Sequence, residues 1–149
     1  MSTFTSTLFA AQDATLAALA AQTWPDGVVP ELGAPAKMDR NAVWVSGEVS
    51  DWTRRHPVSA LAQADESYLL PIHALVTWLG GDYHAARLHM ETVAGLIELA
   101  LSDFTLDGSV AFAVVERSQI EEAIVDDGRR RQLLLSVYVR VSAHLPAGT

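Results

Sequence analysis

Residues 82–104, DYHAARLHMETVAGLIELALSDF, run without a break into Thr105-Leu106-Asp107-Gly108 and then into an apolar stretch beginning at Ser109. Ala86, Met90, Val93, Ile97, Leu101 and Phe104 recur at spacings of three and four, the signature of one buried face on an α-helix. Arg87, Glu91 and Glu98 fall on the polar side, and Arg87 and Glu91 stand one turn apart, as a solvated ion pair requires. Asp82 is placed to cap the first turn, and Asp107-Gly108 reverses the chain into a strand.

Downstream, Val110–Ile120 predicts a strand with Val110, Phe112 and Val114 on one face. Gln132–Leu145 alternates: Leu133, Leu135, Val137, Val139, Val141 and Ala143 fall on one side, and Gln132, Ser136, Tyr138, Arg140, Ser142 and His144 on the other. That pattern fits a sheet with one face in a core and one in water or against a polar partner. The segment between them, Glu121–Arg131, reads as a long charged hairpin loop.

Upstream, Tyr68–Leu79 is a strand apolar on both faces, so it is central to the sheet or covered by a neighbouring subunit. Gly80-Gly81 ends it. Gln63–Ser67 reads as a turn, Pro57–Ala62 as a short strand and Asp51–His56 as a polar connector. Ala42–Val49 is a strand with Val43, Val45 and Val49 on one face and Trp44 on the other. Val28–Arg40, with Pro30, Gly33 and Pro35, reads as a loop. Ser2–Gln22 is an alanine-rich helix with Phe9, Leu16, Leu19 and Ala20 at helical spacing and Gln12 and Asp13 elsewhere on the wheel. Trp24-Pro25-Asp26-Gly27 ends it. The order is α-β-β-β-α-β-β, an α+β fold. It implies a mixed or antiparallel sheet of four to five strands with two helices packed on one face, in a single domain over 1–149.

The net charge is -8 and Lys37 is the only lysine, so the basic stripe of a stable nucleic-acid binder is missing. Half the residues are hydrophobic and 19% are charged, a balance that hints at surface hidden in a partner. With no cysteine, disulfides, thiolate metal sites and cysteine nucleophiles are excluded. No signal peptide and no membrane-spanning run are visible, so folding in a cytoplasm is expected.

Catalytic patterns are equally sparse. His84 and His89 are five apart on one helix, where a metal pair wants three or four. His56, His73 and His144 are scattered. No serine sits in a Gly-x-Ser-x-Gly elbow, and no phosphate-cradling glycine motif occurs. The acidic pairs Asp65-Glu66, Glu121-Glu122 and Asp126-Asp127 are sequence neighbours, more often solvated than held across a cleft. The expectation is no enzyme, no cofactor and no metal.

Arg129, Arg130 and Arg131 form the one basic cluster. It reads first as a solvated strand end balanced by Asp126 and Asp127. It also reads as a subunit contact in which Glu121, Glu122, Asp126 and Asp127 of one copy face arginines of the next. Trp44, Trp52 and Tyr138 are further interface candidates, although an isolated Trp is more often core.

The segment order resembles the tail terminator proteins of long-tailed bacteriophages over nearly the whole chain. The resemblance rests on the Ala42–Glu48 strand, Tyr68–Leu79 running into Gly80-Gly81, the Ala85–Leu101 helix, and Leu106-Asp107-Gly108 before a strand. It implies a virion protein of the tail or neck, assembled in a host cytoplasm. Such a protein forms a hexameric ring on the head-proximal end of the tail tube. It ends tube polymerisation and offers a surface to the head-closure or connector protein, while DNA passes through the lumen without specific binding. By analogy, Glu121, Glu122, Asp126, Asp127, Arg129, Arg130, Arg131, Tyr138 and Arg140 belong to ring, lumen or tube contacts. The Val28–Arg40 loop has no counterpart. The alternatives are a head-closure or connector neck protein, and a small ligand-binding α+β domain with a pocket under the Asp82–Phe104 helix.

Overall fold

The structure is a computed structural model and describes residues 6–38, 40–55, 64–79, 83–102, 110–125 and 130–145. It contains helix α1 (Leu8–Ala20), a single 3-10 turn (Pro25–Gly27), strands β1 (Glu31–Leu32), β2 (Ala42–Val45), β3 (Ser50–Arg55) and β4 (Ala64–Leu79), helix α2 (Tyr83–Ser102), and strands β5 (Val110–Val125) and β6 (Arg130–Leu145). The six strands form one mixed sheet in the order β1-β2-β4-β6-β5, with β3 also on β4. The α+β class and the order of elements are those of the sequence reading. The sixth strand is β1, a two-residue parallel addition to β2 inside the segment read as a loop.

α2 follows its stripe. Ala86, Met90, Val93, Ile97 and Ala100 are buried, Leu101 is half-buried, and Arg87, Glu91 and Glu98 are exposed. Arg87 lies over the Tyr83 ring, 5.9 Å from its centroid. The helix packs on β4 and β6, and α1 packs on α2 and β2, so both helices cover one face of the sheet. Between them and the sheet lie Tyr68, Leu70, Ile72, Ala74 and Val76 of β4 and Leu133, Leu135, Val137, Val139 and Val141 of β6. Each large side chain so buried contributes about 1.5–3 kcal/mol. β4 is apolar on both faces because it is central. Trp44 is buried on the face away from the helices, 5.2 Å from the tilted His73 ring, rather than exposed.

Four segments differ from the sequence reading. α1 buries Ala11, Gln12, Thr15 and Leu19, while Phe9 and Ala20 are exposed. An alanine-rich helix has little contrast between its faces, so tertiary bonds choose the buried one. Gln12 Nε2 donates to the carbonyls of Ser46 at 3.2 Å and Gly47 at 3.4 Å. Those carbonyls belong to the break between β2 and β3, two halves of an edge alongside β4. Asp51–Arg55, read as most of a connector, belong to strand β3, and Pro57–Ala62, read as a strand, lies outside the described residues. Ala64–Ser67, read as part of a turn, opens β4 and pairs with β3 and β6. The long charged hairpin loop is also corrected: β5 runs to Val125 and β6 begins at Arg130, in register from Val125↔Arg130 to Arg117↔Tyr138.

Glu66 ties α1 to the sheet. It is 2% exposed. It accepts from Ser6 Oγ at 2.7 Å, from Thr7 N and Thr7 Oγ1 at 2.9 Å each, and from Trp52 Nε1 at 2.9 Å. Thr7 Oγ1 has one proton, given to Glu66, so at 3.0 Å it accepts from the Tyr68 phenol. Burial, with the nearby Glu66 charge, pushes the Tyr68 pKa up to about 12. Tyr68→Phe removes one buried bond and leaves the Thr7 oxygen one partner short. A loss of about 1 kcal/mol is expected in the chemical-denaturation midpoint. An unchanged midpoint would show that this bond adds nothing net.

Candidate assembly interface

β5 is exposed over most of its length for which burial is described. It is 16 residues long and pairs along its length with β6 alone among the described residues. Every residue from Val114 to Glu122 is exposed, on both faces. The apolar ones include Val114 at 56%, Val115 at 45% and Ile120 at 60% exposure. α2 stops short of the strand and leaves a groove of about 500 Å³ lined by Ala94, Leu101, Ala113, Val115, Leu135 and Val137, among others. A long unpaired strand with bare apolar side chains is normally covered by another chain.

The opposite edge is stepped. β3 pairs with the lower part of β4 (Ser50↔Leu69 to Arg55↔Asp65), and β2 with the upper part (Ala42↔Leu75 to Val45↔Ile72). β1 lies outside β2 only, so the edge stands one strand further out there. Trp52 on β3 is 41% exposed although its indole nitrogen is bonded to Glu66, and Leu32 on β1 is 49% exposed.

Arg140 joins the two edges across the back of the sheet. Its Nη2 donates to Asp51 Oδ2 at 2.7 Å and to Glu116 Oε1 and Oε2 at 3.3 Å, and its Nη1 donates to Ser67 Oγ at 3.3 Å. The Asp51 bond raises the Arg140 pKa above its ordinary value; burial opposes this and the Glu116 bond adds to it. Both acids lie in irregularities of their strands. β3 shifts register between Ser50 and Thr53, β5 shifts between Val115 and Arg117, and Asp51 has the left-handed φ of 55°. A bulge re-aims the extra residue's side chain. Here both bulges send a carboxylate to one guanidinium.

The residues singled out from sequence are spread over this hairpin. Glu121 and Glu122 are exposed on β5, not on a loop, and Arg130 and Arg131 open β6. Arg131 Nη1 lies 3.7 Å from Glu122 Oε1 of the same chain. Tyr138 carries Arg117 over its ring at 4.4 Å. Asp126, Asp127 and Arg129 lie outside the described residues. Sequence reasoning missed Val115, Ile120, Asp51 and Glu116, whereas Trp52 was among its interface candidates. The usable signal was the mixed VVERSQIEE run, which is polar and apolar on both sides of a strand.

Among the described residues no three His, Asp or Glu side chains gather as a metal site. No described helix is long and apolar enough to cross a membrane.

No family model and no curated protein matches the chain. Among solved structures, 26 chains match. One is a chain of a structure described as the virion of a native gene transfer agent particle. It is 15% identical, with 89% of this chain and 93% of that chain covered and a TM-score of 0.48.

Proposed function

We propose that this chain is a structural, non-enzymatic protein of a phage-like particle. It assembles as a hexameric ring at the head-proximal end of a tail tube, ends tube polymerisation and joins the tail to the head connector. The observation that carries the reading is β5, bare on both faces from Val114 to Glu122 and, among the described residues, unpaired on one edge over that run. The resemblance to tail terminators in segment order supports the ring and its place. The net charge of -8 suits a channel through which DNA slides without sticking.

The reading is tested by electron microscopy of lysates from a parent particle lacking this gene. Overlong tails unjoined to filled heads are expected. Leaking heads beside tails of normal length would instead mean a head-side neck protein. Normal particles would end the assembly reading.

A further inference from the structure

We propose that the contact between copies is edge-to-edge sheet pairing, with β5 of one copy laid antiparallel on the β3–β1 edge of the next. This rests on the assembly reading and names the two surfaces that meet.

Strand direction allows it. β4 and β5 both run antiparallel to β6, whereas β3 runs antiparallel to β4. The two free edges of one sheet therefore run in opposite senses. Copies related by rotation about an axis along the strands present them to each other as an antiparallel pair, with no copy inverted. This contact is heterologous, the kind that closes into a ring.

The rows of the sheet match as well. Ser50 is level with Leu69, Arg140 and Val114. Glu31 is level with Trp44, His73, Ser136 and Gln119. Carried to the next copy, Ala113 and Val114 of β5 come beside the β3 segment that holds Trp52, and Val115 comes level with the break between β3 and β2. Ile120 comes near Leu32. The edge steps out by one strand between the rows of Ser50 and Leu32, and β5 has its bulge between Val115 and Arg117, in that same interval. A bulge bends a strand, so the irregularity lies where a straight β5 would collide with β1. Trp52 stands on the helix side of its sheet, since it bonds Glu66. In the next copy its indole meets the groove lined by Ala113 and Val115.

Charge selects this edge over a second β5. The exposed run Val114–Glu122 has three carboxylates and one guanidinium, net -2, so two β5 strands repel. The β3–β1 edge has Glu31, Asp51, Arg54 and Arg55, net 0, and so does not repel β5.

The chain has no cysteine, so introduced pairs report on one contact each. Ser50→Cys with Val114→Cys, and Glu31→Cys with Gln119→Cys, probe the two rows. Within one copy these positions are three and four strands apart, roughly 14 and 19 Å, too far for a disulfide. On mild oxidation of the full-length protein, both pairs are expected to give a ladder of linked oligomers. Each single variant alone should stay unlinked. Dimers from Val114→Cys alone would mean that β5 pairs with itself and would overturn the proposal. No links in a protein that light scattering shows to be oligomeric would overturn this contact and leave assembly standing. No links in a monomer at high concentration would remove both.

Discussion

Glu66→Ala is expected to destabilise the fold by about 3–5 kcal/mol, a drop of roughly 10 °C or more in Tm for a chain of this size. The carboxylate is 2% exposed and is the acceptor for four bonds from Ser6, Thr7 and Trp52, with Arg54 Nε a further 3.8 Å away. Truncation leaves those donors in a pocket water reaches poorly, and each unmet donor there costs on the order of 1–3 kcal/mol. It also releases the start of α1, whose buried face is held by Gln12 and by this anchor rather than by a strong apolar stripe. Thermal and urea unfolding measure the loss. A change below about 1 kcal/mol would show that the cluster is solvated in solution.

The same group sets a pH dependence. Burial alone raises the Glu66 pKa, but the bonds from the Thr7 amide, the Ser6 hydroxyl, the Trp52 indole and the Thr7 hydroxyl outweigh it. The folded-state pKa therefore lies below the ordinary carboxylate value of 4.5. A group depressed on folding stabilises fully above its unfolded pKa and loses that contribution as pH falls through the folded one. The gap between the native protein and Glu66→Gln should be widest near neutrality and close as pH drops below about 4. A gap constant with pH would mean that the Glu66 pKa does not change on folding.

Legibility in the sequence followed contrast between faces. α2 and β6 alternate charged or polar positions with Val, Leu and Ile, so period and burial agree. α1 is mostly alanine, and its true face, marked by Gln12 and Thr15, has no apolar signature. Glu66 sat beside Asp65 in what read as a polar turn, because a buried acid and a solvated one are the same letter until their donors are known. Most of β3, DWTRR, and the end of β5, EEAIV, read as connector and loop for a shared reason. An edge strand open to solvent needs no alternation, so period-two patterning vanishes there. Glu121 and Glu122 were assigned to a loop but lie on β5, and the bare apolar positions beside them were passed over.

Val115→Glu with Ile120→Glu is expected to abolish assembly while leaving the fold intact. Both side chains point to the helix side of β5 beyond the reach of α2, at 45% and 60% exposure, so neither is part of the core cluster. Each surface substitution should change unfolding free energy by no more than about 0.5 kcal/mol. Between copies the balance is different. Covering the exposed parts of Val115 and Ile120 contributes roughly 1–2 kcal/mol each, and the double variant loses both contributions. It also adds two negative charges to a run that already carries Glu116, Glu121 and Glu122, and places them against a desolvated neighbour. Together these correspond to a weakening of about 1000-fold or more in association. Light scattering over a concentration series reads the association, and calorimetry on the same sample reads the fold. Monomers with native-like melting are the expected pair. Intact oligomers would mean that the bare face of β5 is not where copies meet. A collapsed melting transition would mean that Val115 and Ile120 support the hairpin itself, and the Cys pairs would then decide the contact alone.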